Sequence, residues 1–158
     1  MSISLVQQLD AIEPSEVEPG FRLHPCAAEL NDGTSLECVY FMTAATSRRL
    51  LGREGPASFP DRYWISQHDV ASIAESPVRL PARFANEIYG AGETHYGCYI
   101  FTLIFSRWVR RGYLVGGFID FLDFPRGHGP SDVKEVLLRL GPTHPSQLPE
   151  YKWCVYLG

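Results

Sequence analysis

The chain has 158 residues, of which 45% are apolar and 20% are charged, as in an ordinary folded protein. This length suits a single domain, and the composition excludes disordered and collagen-like chains. The net charge of −4 argues against a general nucleic-acid binder, whose surface is normally basic.

Residues 3–12 carry apolar side chains near helical spacing, which predicts a short amphipathic helix. Pro14 ends this helix, and residues 14–20 are interpreted as an acidic linker. Residues 1–19 are therefore assigned to the N-terminal helix and most of this linker. No basic segment precedes an apolar one here, as it would in a secretory signal. The apolar stretch 99–105 is too short to span a bilayer. We therefore expect a cytoplasmic protein without membrane contact.

Residues 21–30 and 36–42 flank the turn sequence Asn-Asp-Gly-Thr at positions 31–34. Asn, Asp and Gly readily adopt the backbone angles of a tight turn, so a β-hairpin is predicted. Residues 43–60 contain several glycines and prolines and are interpreted as a loop.

A brief strand is predicted at residues 63–65, and Ser66 then looks like the cap of a helix that continues to residue 74. A second helix is predicted from Pro81 onward, because proline suits the first helical turn. Its apolar positions run to Ile88, and glycines follow.

Residues 96–106 and 113–124 are long, aromatic and β-branched, which predicts a second and longer hairpin. Its apolar runs do not alternate, so both faces should be largely covered. Residues 107–111 then form the tip, and Gly116-Gly117 suggests a bulge in the second arm.

Residues 131–140 predict a helix that Gly141-Pro142 ends, and residues 152–157 predict a final strand. Helices and strands are grouped rather than alternating, which favours an α+β fold. We expect one domain over residues 1–158, with a mainly antiparallel sheet of five to six strands and three to four short helices.

The chain contains none of the common catalytic or nucleotide-binding signatures. The weak catalytic candidates are Glu93 and His95, because a carboxylate two residues from an imidazole on an extended chain can orient it as a general base. Glu87 and Asp120 would complete such a site. The alternative is a polar loop in which His95 has only local hydrogen bonds. Asp120 and Asp123 are three apart, so they face opposite sides of a strand, and a structural role is favoured for them.

The four cysteines are Cys26, Cys38, Cys98 and Cys154, and their spacing fits no zinc-site template. His24 and His95 could join Cys26 and Cys98 around a metal only if distant segments met. We therefore expect no metal and no cofactor. Apolar surroundings of Cys38 and Cys98 argue against a nucleophilic thiol, and a disulfide remains an alternative in an oxidising compartment.

The best binding candidate is the predicted hairpin tip, with Arg107, Trp108, Arg110 and Arg111, to which Arg83 is added from the preceding helix. Guanidinium groups around an aromatic ring can stack on flat groups or grip anions, and both residue types are enriched at interface hot spots. The alternative is a solvated hairpin end with the tryptophan folded back on the sheet.

These features favour a non-enzymatic module that binds another protein, as an accessory, inhibitor or immunity-type protein does. The rival hypothesis is a small enzyme or ligand-binding domain with a pocket around Glu93 and His95. A third is an anionic decoy in which the acids between Asp10 and Glu18 imitate a nucleic-acid backbone, although Pro14 and Pro19 disfavour an ordered acidic face.

Overall fold

The computed structural model of the chain describes residues 1–52 and 61–157, in which two β-sheets are combined with three α-helices. The helices are α1 (Ile3–Asp10), α2 (Ala44–Leu51) and α3 (Ala82–Ala91). The strands are β1 (Ser15–Glu18), β2 (Phe21–Leu30), β3 (Ser35–Thr43), β4 (Trp64–Ser66), β5 (Val70–Ala74), β6 (Tyr99–Ile104), β7 (Arg110–Val115), β8 (Glu135–Leu138) and β9 (Lys152–Tyr156). The predicted α+β class is confirmed. None of the described helices has the length and apolar character needed to cross a bilayer.

The larger sheet has the strand order β1-β2-β3-β9-β4, and β5 also pairs with β2. The pairs among β1, β2, β3 and β5 are antiparallel, whereas β9 runs parallel to β3 and β4. The β2–β3 hairpin is the predicted one. Gly33 in its turn has a φ of 88°, and the Asp32 carboxylate accepts from the Thr34 N–H at 2.9 Å.

The smaller sheet has the order β7-β6-β8 and is entirely antiparallel. The predicted pairing between the two aromatic segments is confirmed as β6 with β7, but the second arm ends at Val115. Residues 116–124 turn away after the exposed Gly116-Gly117 pair. They pair instead with residues 78–80, through hydrogen bonds from Leu80 N–H to Asp120 O and from Leu122 N–H to Val78 O.

The predicted helix over residues 66–74 is wrong. A single 3-10 turn (Gln67–Asp69) is followed by β5, which adds to an edge of β2. A bulge explains the misleading pattern, because Ile73 lies opposite Ala28 and Val70 lies opposite Leu30. Because of the extra residue, Val70 and Ile73 lie on the same face of β5 although they are three positions apart in the sequence. The same spacing places two residues on one face of a helix, so the sequence pattern could not distinguish the two structures.

The predicted helix over residues 131–140 is also wrong. The chain forms a 3-10 turn (Pro130–Asp132) and then β8, which pairs with β6. Main-chain hydrogen bonds from Lys134 N–H to Ile104 O and from Arg139 N–H to Ile100 O flank this pairing. Hydrogen bonding to the free edge of β6 therefore outweighs the local helix propensity of residues 135–138.

Two further segments differ from expectation. Part of the predicted loop at residues 43–60 is α2, which Thr43 caps and which ends at Gly52 with a φ of 70°; residues 53–60 lie outside the described residues. The predicted acidic linker contains β1, whose Ser15 is fully buried. The predicted helices at 3–12 and from Pro81, and the predicted final strand, correspond to α1, α3 and β9.

The segment after β8 crosses the outer face of the smaller sheet. Leu140 O accepts from the Thr102 hydroxyl at 2.7 Å, and Ser146 exchanges hydrogen bonds with the Leu114 backbone at 3.0 Å. Between these points the chain passes over Gly112, where a Cβ atom would lie 2.9 Å from Pro142 Cδ. Both faces of the β6–β7 hairpin are therefore covered, which leaves its turn as the projecting part.

Candidate binding surface

Residues 105–109 form the tight turn that joins β6 to β7. The Phe105 N–H donates to Val109 O at 2.9 Å. The Ser106 hydroxyl accepts from the backbone N–H groups of Trp108 and Val109, at 3.4 and 3.2 Å. Because a short polar side chain satisfies two backbone donors, the backbone of the turn is fixed.

The side chains of Ser106, Arg107 and Trp108 are exposed to solvent, whereas Phe105 is buried in the core. Trp108 is 83% exposed, and the guanidinium carbon of Arg107 lies 4.9 Å from the centroid of its ring. Arg110 is exposed, and its guanidinium group forms no hydrogen bond or ion pair with another described residue. We call Arg107, Trp108 and Arg110 the hairpin tip. It combines an exposed indole with two cations, which are typical of binding anchors.

The other two predicted binding residues are placed differently. Arg111 is partly occupied, since its Nη1 lies 3.0 Å from the carbonyl oxygen and 3.4 Å from the carboxylate of Asp123. Arg83 is exposed at the start of α3, with its guanidinium carbon 4.4 Å above the ring of its neighbour Phe84. The structure therefore brings three of the five predicted residues into the hairpin tip.

Glu93 and His95 lie in an exposed turn between α3 and β6. The Glu93 carboxylate accepts from the Gly97 N–H at 2.9 Å, and the His95 backbone forms a bridge with Cys98. Neither side chain hydrogen-bonds the other, and Glu87 is exposed on α3. Within the described residues, Glu93 therefore stabilises a local turn, and a catalytic role for the pair stays a prediction.

Asp120 is fully buried at the junction of the two sheets. Its carboxylate accepts from the Ser15 hydroxyl and, at 2.6 Å, from the Tyr89 hydroxyl. Ser15 in turn accepts at 3.2 Å from Arg79, which is only 5% exposed. The Asp120 backbone N–H donates to the Tyr40 hydroxyl at 3.1 Å. This buried network joins β1, β3, α3 and the segment after β7. Among the described residues Asp120 forms no hydrogen bond with Glu93 or His95, and a catalytic role for it stays a prediction.

The four cysteines are all free thiols. Burial raises the pKa of the Cys38 and Cys154 thiols to about 12, and it also raises the pKa of Cys26. These three thiols stay protonated at neutral pH and offer no thiolate nucleophile. The described part of the chain contains no group of three His, Cys, Asp or Glu side chains arranged to hold a metal.

His24 on β2 is a half-buried imidazole whose buried Nδ1 has no hydrogen-bond partner among the described residues. Burial lowers its pKa, and the charges of Arg79 and Arg22 act in the same direction, while Asp10 opposes them. Below the ordinary histidine pKa, near 6.5, the unfolded chain therefore binds a proton that the folded chain does not. Acidification through this range favours unfolding.

We expect the free energy of unfolding to fall as the pH decreases from about 6.5 toward the lowered pKa of His24. His24→Asn should remove this part of the pH dependence. Urea unfolding followed at several pH values measures it, and His68→Asn is the control because His68 is exposed. Equal pH dependence in wild type and His24→Asn would contradict the assignment.

A groove that the sequence patterns did not indicate lies beside the larger sheet. Its walls come from the start of β3, from residues 62–63, and from residues 149–153. No local motif marks it, because its residues are far apart in the sequence and meet only when β9 inserts between β3 and β4.

A comparison with protein-family models found no match, and neither did comparisons with curated proteins and with solved structures.

Proposed function

We propose that the chain is a non-enzymatic binding module that recognises another protein through the hairpin tip, in the manner of an accessory, inhibitor or immunity-type protein. The single observation that carries this proposal is Trp108, which stays 83% exposed on a hydrogen-bonded turn. Tryptophan and arginine are the residue types most enriched at interface hot spots, so an exposed indole beside two exposed arginines supports a binding role.

The charges around the indole indicate the kind of partner. Arg107 and Arg110 are both exposed, and Arg107 lies over the Trp108 ring. Such a surface complements carboxylates beside an apolar pocket. The net charge of −4 disfavours a nucleic-acid partner, since the phosphate backbone would be repelled by the chain as a whole. A partner protein with a small acidic patch beside an apolar pocket fits both facts, because only the contact patch has to be negative.

A cytoplasmic location is part of this proposal. All four cysteines are unpaired thiols, which is typical of proteins kept in a reducing compartment. Cys26, Cys38 and Cys154 are buried, which is consistent with a packing role, and Cys98 is partly exposed.

The test is an affinity capture from the native host with wild-type protein beside an Arg107→Ala/Trp108→Ala/Arg110→Ala variant. We expect the variant to lose the specific partner, with an affinity at least about 30-fold weaker, because a tryptophan hot spot alone contributes about 2 kcal/mol or more. Binding of the purified partner is then measured by calorimetry.

The matched control is Tyr96→Ala, because Tyr96 is a fully exposed aromatic residue at the opposite end of β6. All variants should keep the wild-type melting temperature, since the altered side chains are exposed. Retention of every partner by the folded triple variant would overturn the proposal.

A further inference from the structure

The outer side of β8 carries main-chain groups that the described part of the chain leaves open. The Arg139 N–H donates to Ile100 O at 2.9 Å, so the main chain at this end of β8 faces β6. Because successive residues of a strand direct their main-chain groups to opposite sides, Leu137 also faces β6, while Val136 and Leu138 face outward. We call the main chain and side chains of Val136 and Leu138 the β8 edge.

Three other edge strands are closed by polar side chains. On β1 the Asn86 side chain accepts from a main-chain N–H at 2.8 Å, and on β5 the Gln8 side chain accepts from another at 2.8 Å. On β7, Ser146 exchanges hydrogen bonds with the main chain of Leu114 at 3.0 Å. The β8 edge has no such cap among the described residues. An open edge of this kind is a template for a further strand.

Apolar side chains border the β8 edge. Leu138 is 38% exposed, and Leu140, just beyond the strand, is 54% exposed. Residues 136–138 are Val, Leu and Leu, so the edge carries neither the charge nor the proline that commonly prevents strand pairing. Open hydrogen-bonding groups are thus combined with an apolar surface, as they are where one chain adds a strand to the sheet of another.

The sequence around Leu137 is complementary to itself in the antiparallel direction. A two-fold axis at Leu137 pairs Val136 of one copy with Leu138 of the other, and since both face outward, each can donate to and accept from the other. The same register brings Glu135 of one copy level with Arg139 of the other, and opposite charges at such positions stabilise a strand pair. Within the described residues, Glu135 and Arg139 form no ion pair.

We propose that the β8 edge binds a second copy of this chain, as an antiparallel pair of β8 strands centred on Leu137. The two smaller sheets then form one continuous sheet in the order β7-β6-β8-β8-β6-β7. The same surface is used on both copies, so the assembly closes as a dimer. The hairpin tip takes no part in this contact, and the proposal does not rest on the proposed function.

Sedimentation velocity of the full chain, from about 1 to about 500 µM, is the first test. We expect the weight-average mass to rise with concentration toward twice that of the monomer, because a contact through one short strand is weak. A monomer at every concentration would overturn the proposal, even if a strand of some other protein is found at this edge.

Amide hydrogen exchange locates the contact. The outward N–H groups of Val136 and Leu138 should exchange about tenfold more slowly at the highest concentration than at the lowest, because only the dimer gives them hydrogen-bond acceptors. A dimer in which these two amides exchange equally fast at both concentrations uses another surface, which contradicts the proposal.

Two variants at Leu138 supply the second arm. Leu138→Pro removes an outward donor that the monomer does not use, so the melting temperature should change little, whereas the dimer should dissociate at least about tenfold more easily. Leu138→Lys keeps the donor but places a charge beside Val136 of the other copy, and it should weaken the dimer about fivefold. Folded variants that both dimerise as tightly as wild type would overturn the proposal.

The matched control is Leu157→Lys, because Leu157 follows β9 in the larger sheet and is 78% exposed. This variant should dimerise like wild type, and a loss equal to that of Leu138→Lys would assign the effect to net charge, against the proposal. The Arg107→Ala/Trp108→Ala/Arg110→Ala variant should also dimerise like wild type. Loss of its dimer would assign the contact to the hairpin tip and overturn the proposal, while partner capture tests the tip separately.

Discussion

Asp120→Ala should lower the free energy of unfolding by about 3–5 kcal/mol, the largest effect we expect from a single substitution. The carboxylate is fully buried and accepts hydrogen bonds from Ser15 and Tyr89. Its removal leaves the buried hydroxyl groups of Ser15 and Tyr89 without an acceptor. Urea unfolding followed by tryptophan fluorescence measures the change.

Asp123→Ala is the matched control for this substitution. Its side chain is 69% exposed, and its carboxylate pairs, among the described residues, only with the partly exposed Arg111. We expect a change of about 1 kcal/mol or less, the range of surface ion pairs. Equal losses at the two aspartates would contradict a structural role that is specific to Asp120.

The pH dependence of Asp120→Asn tests the same group in a second way. Burial raises the pKa of the Asp120 carboxyl, while the hydrogen bonds from Ser15 and Tyr89 and the charge of Arg79 oppose that rise. The folded chain thus keeps the proton to a higher pH than the unfolded chain does. The stability due to this group is complete below the ordinary aspartate pKa and is lost as the pH rises through the raised pKa.

Asp120→Asn should therefore destabilise most at acidic pH, and the loss should shrink as the pH rises through this range. Urea midpoints at several pH values in both proteins provide the measurement. A loss that grows with pH would mean that Arg79 and the hydrogen bonds outweigh burial, so that the pKa is lowered.

Gly112→Ala should lower the free energy of unfolding by about 1–3 kcal/mol, as overpacking of a filled site does. The new methyl group would lie 2.9 Å from Pro142 Cδ and 3.2 Å from the Cα of Gly141. Since the crossing segment is held on both sides, by Leu140 at Thr102 and by Ser146 at Leu114, it cannot easily move outward. Thermal and urea unfolding measure the loss.

Gly116→Ala is the control, because no atom lies within 4 Å of a Cβ at that position. We expect a change of a few tenths of a kcal/mol, since alanine also restricts the unfolded chain. If Gly112→Ala is as stable as Gly116→Ala, the segment after β8 does not press on the hairpin. The hairpin tip would then lack the support that we describe for it.

Local patterns were sufficient for the elements whose signal lies within a few residues. The Asn-Asp-Gly-Thr turn predicted the β2–β3 hairpin, and the two aromatic segments predicted the pairing of β6 with β7. Helices α1 and α3 followed from apolar spacing with a serine or proline at the start. The exposure of Arg107, Trp108 and Arg110 also agrees with a turn between two paired strands.

Only the tertiary structure decided which strand edges would pair with other segments of the chain. Residues 70–74 and 135–138 had apolar spacing compatible with a helix, but open edges of β2 and β6 supplied hydrogen bonds to them as strands. The chain beyond Gly116-Gly117 left the sheet, which buried Asp120 beside Arg79 rather than on a strand face. The groove beside the larger sheet likewise needed β9 to lie between β3 and β4. The physical reason is that strand pairing and burial join residues more than thirty positions apart. The spacing of apolar residues within one segment cannot predict such contacts.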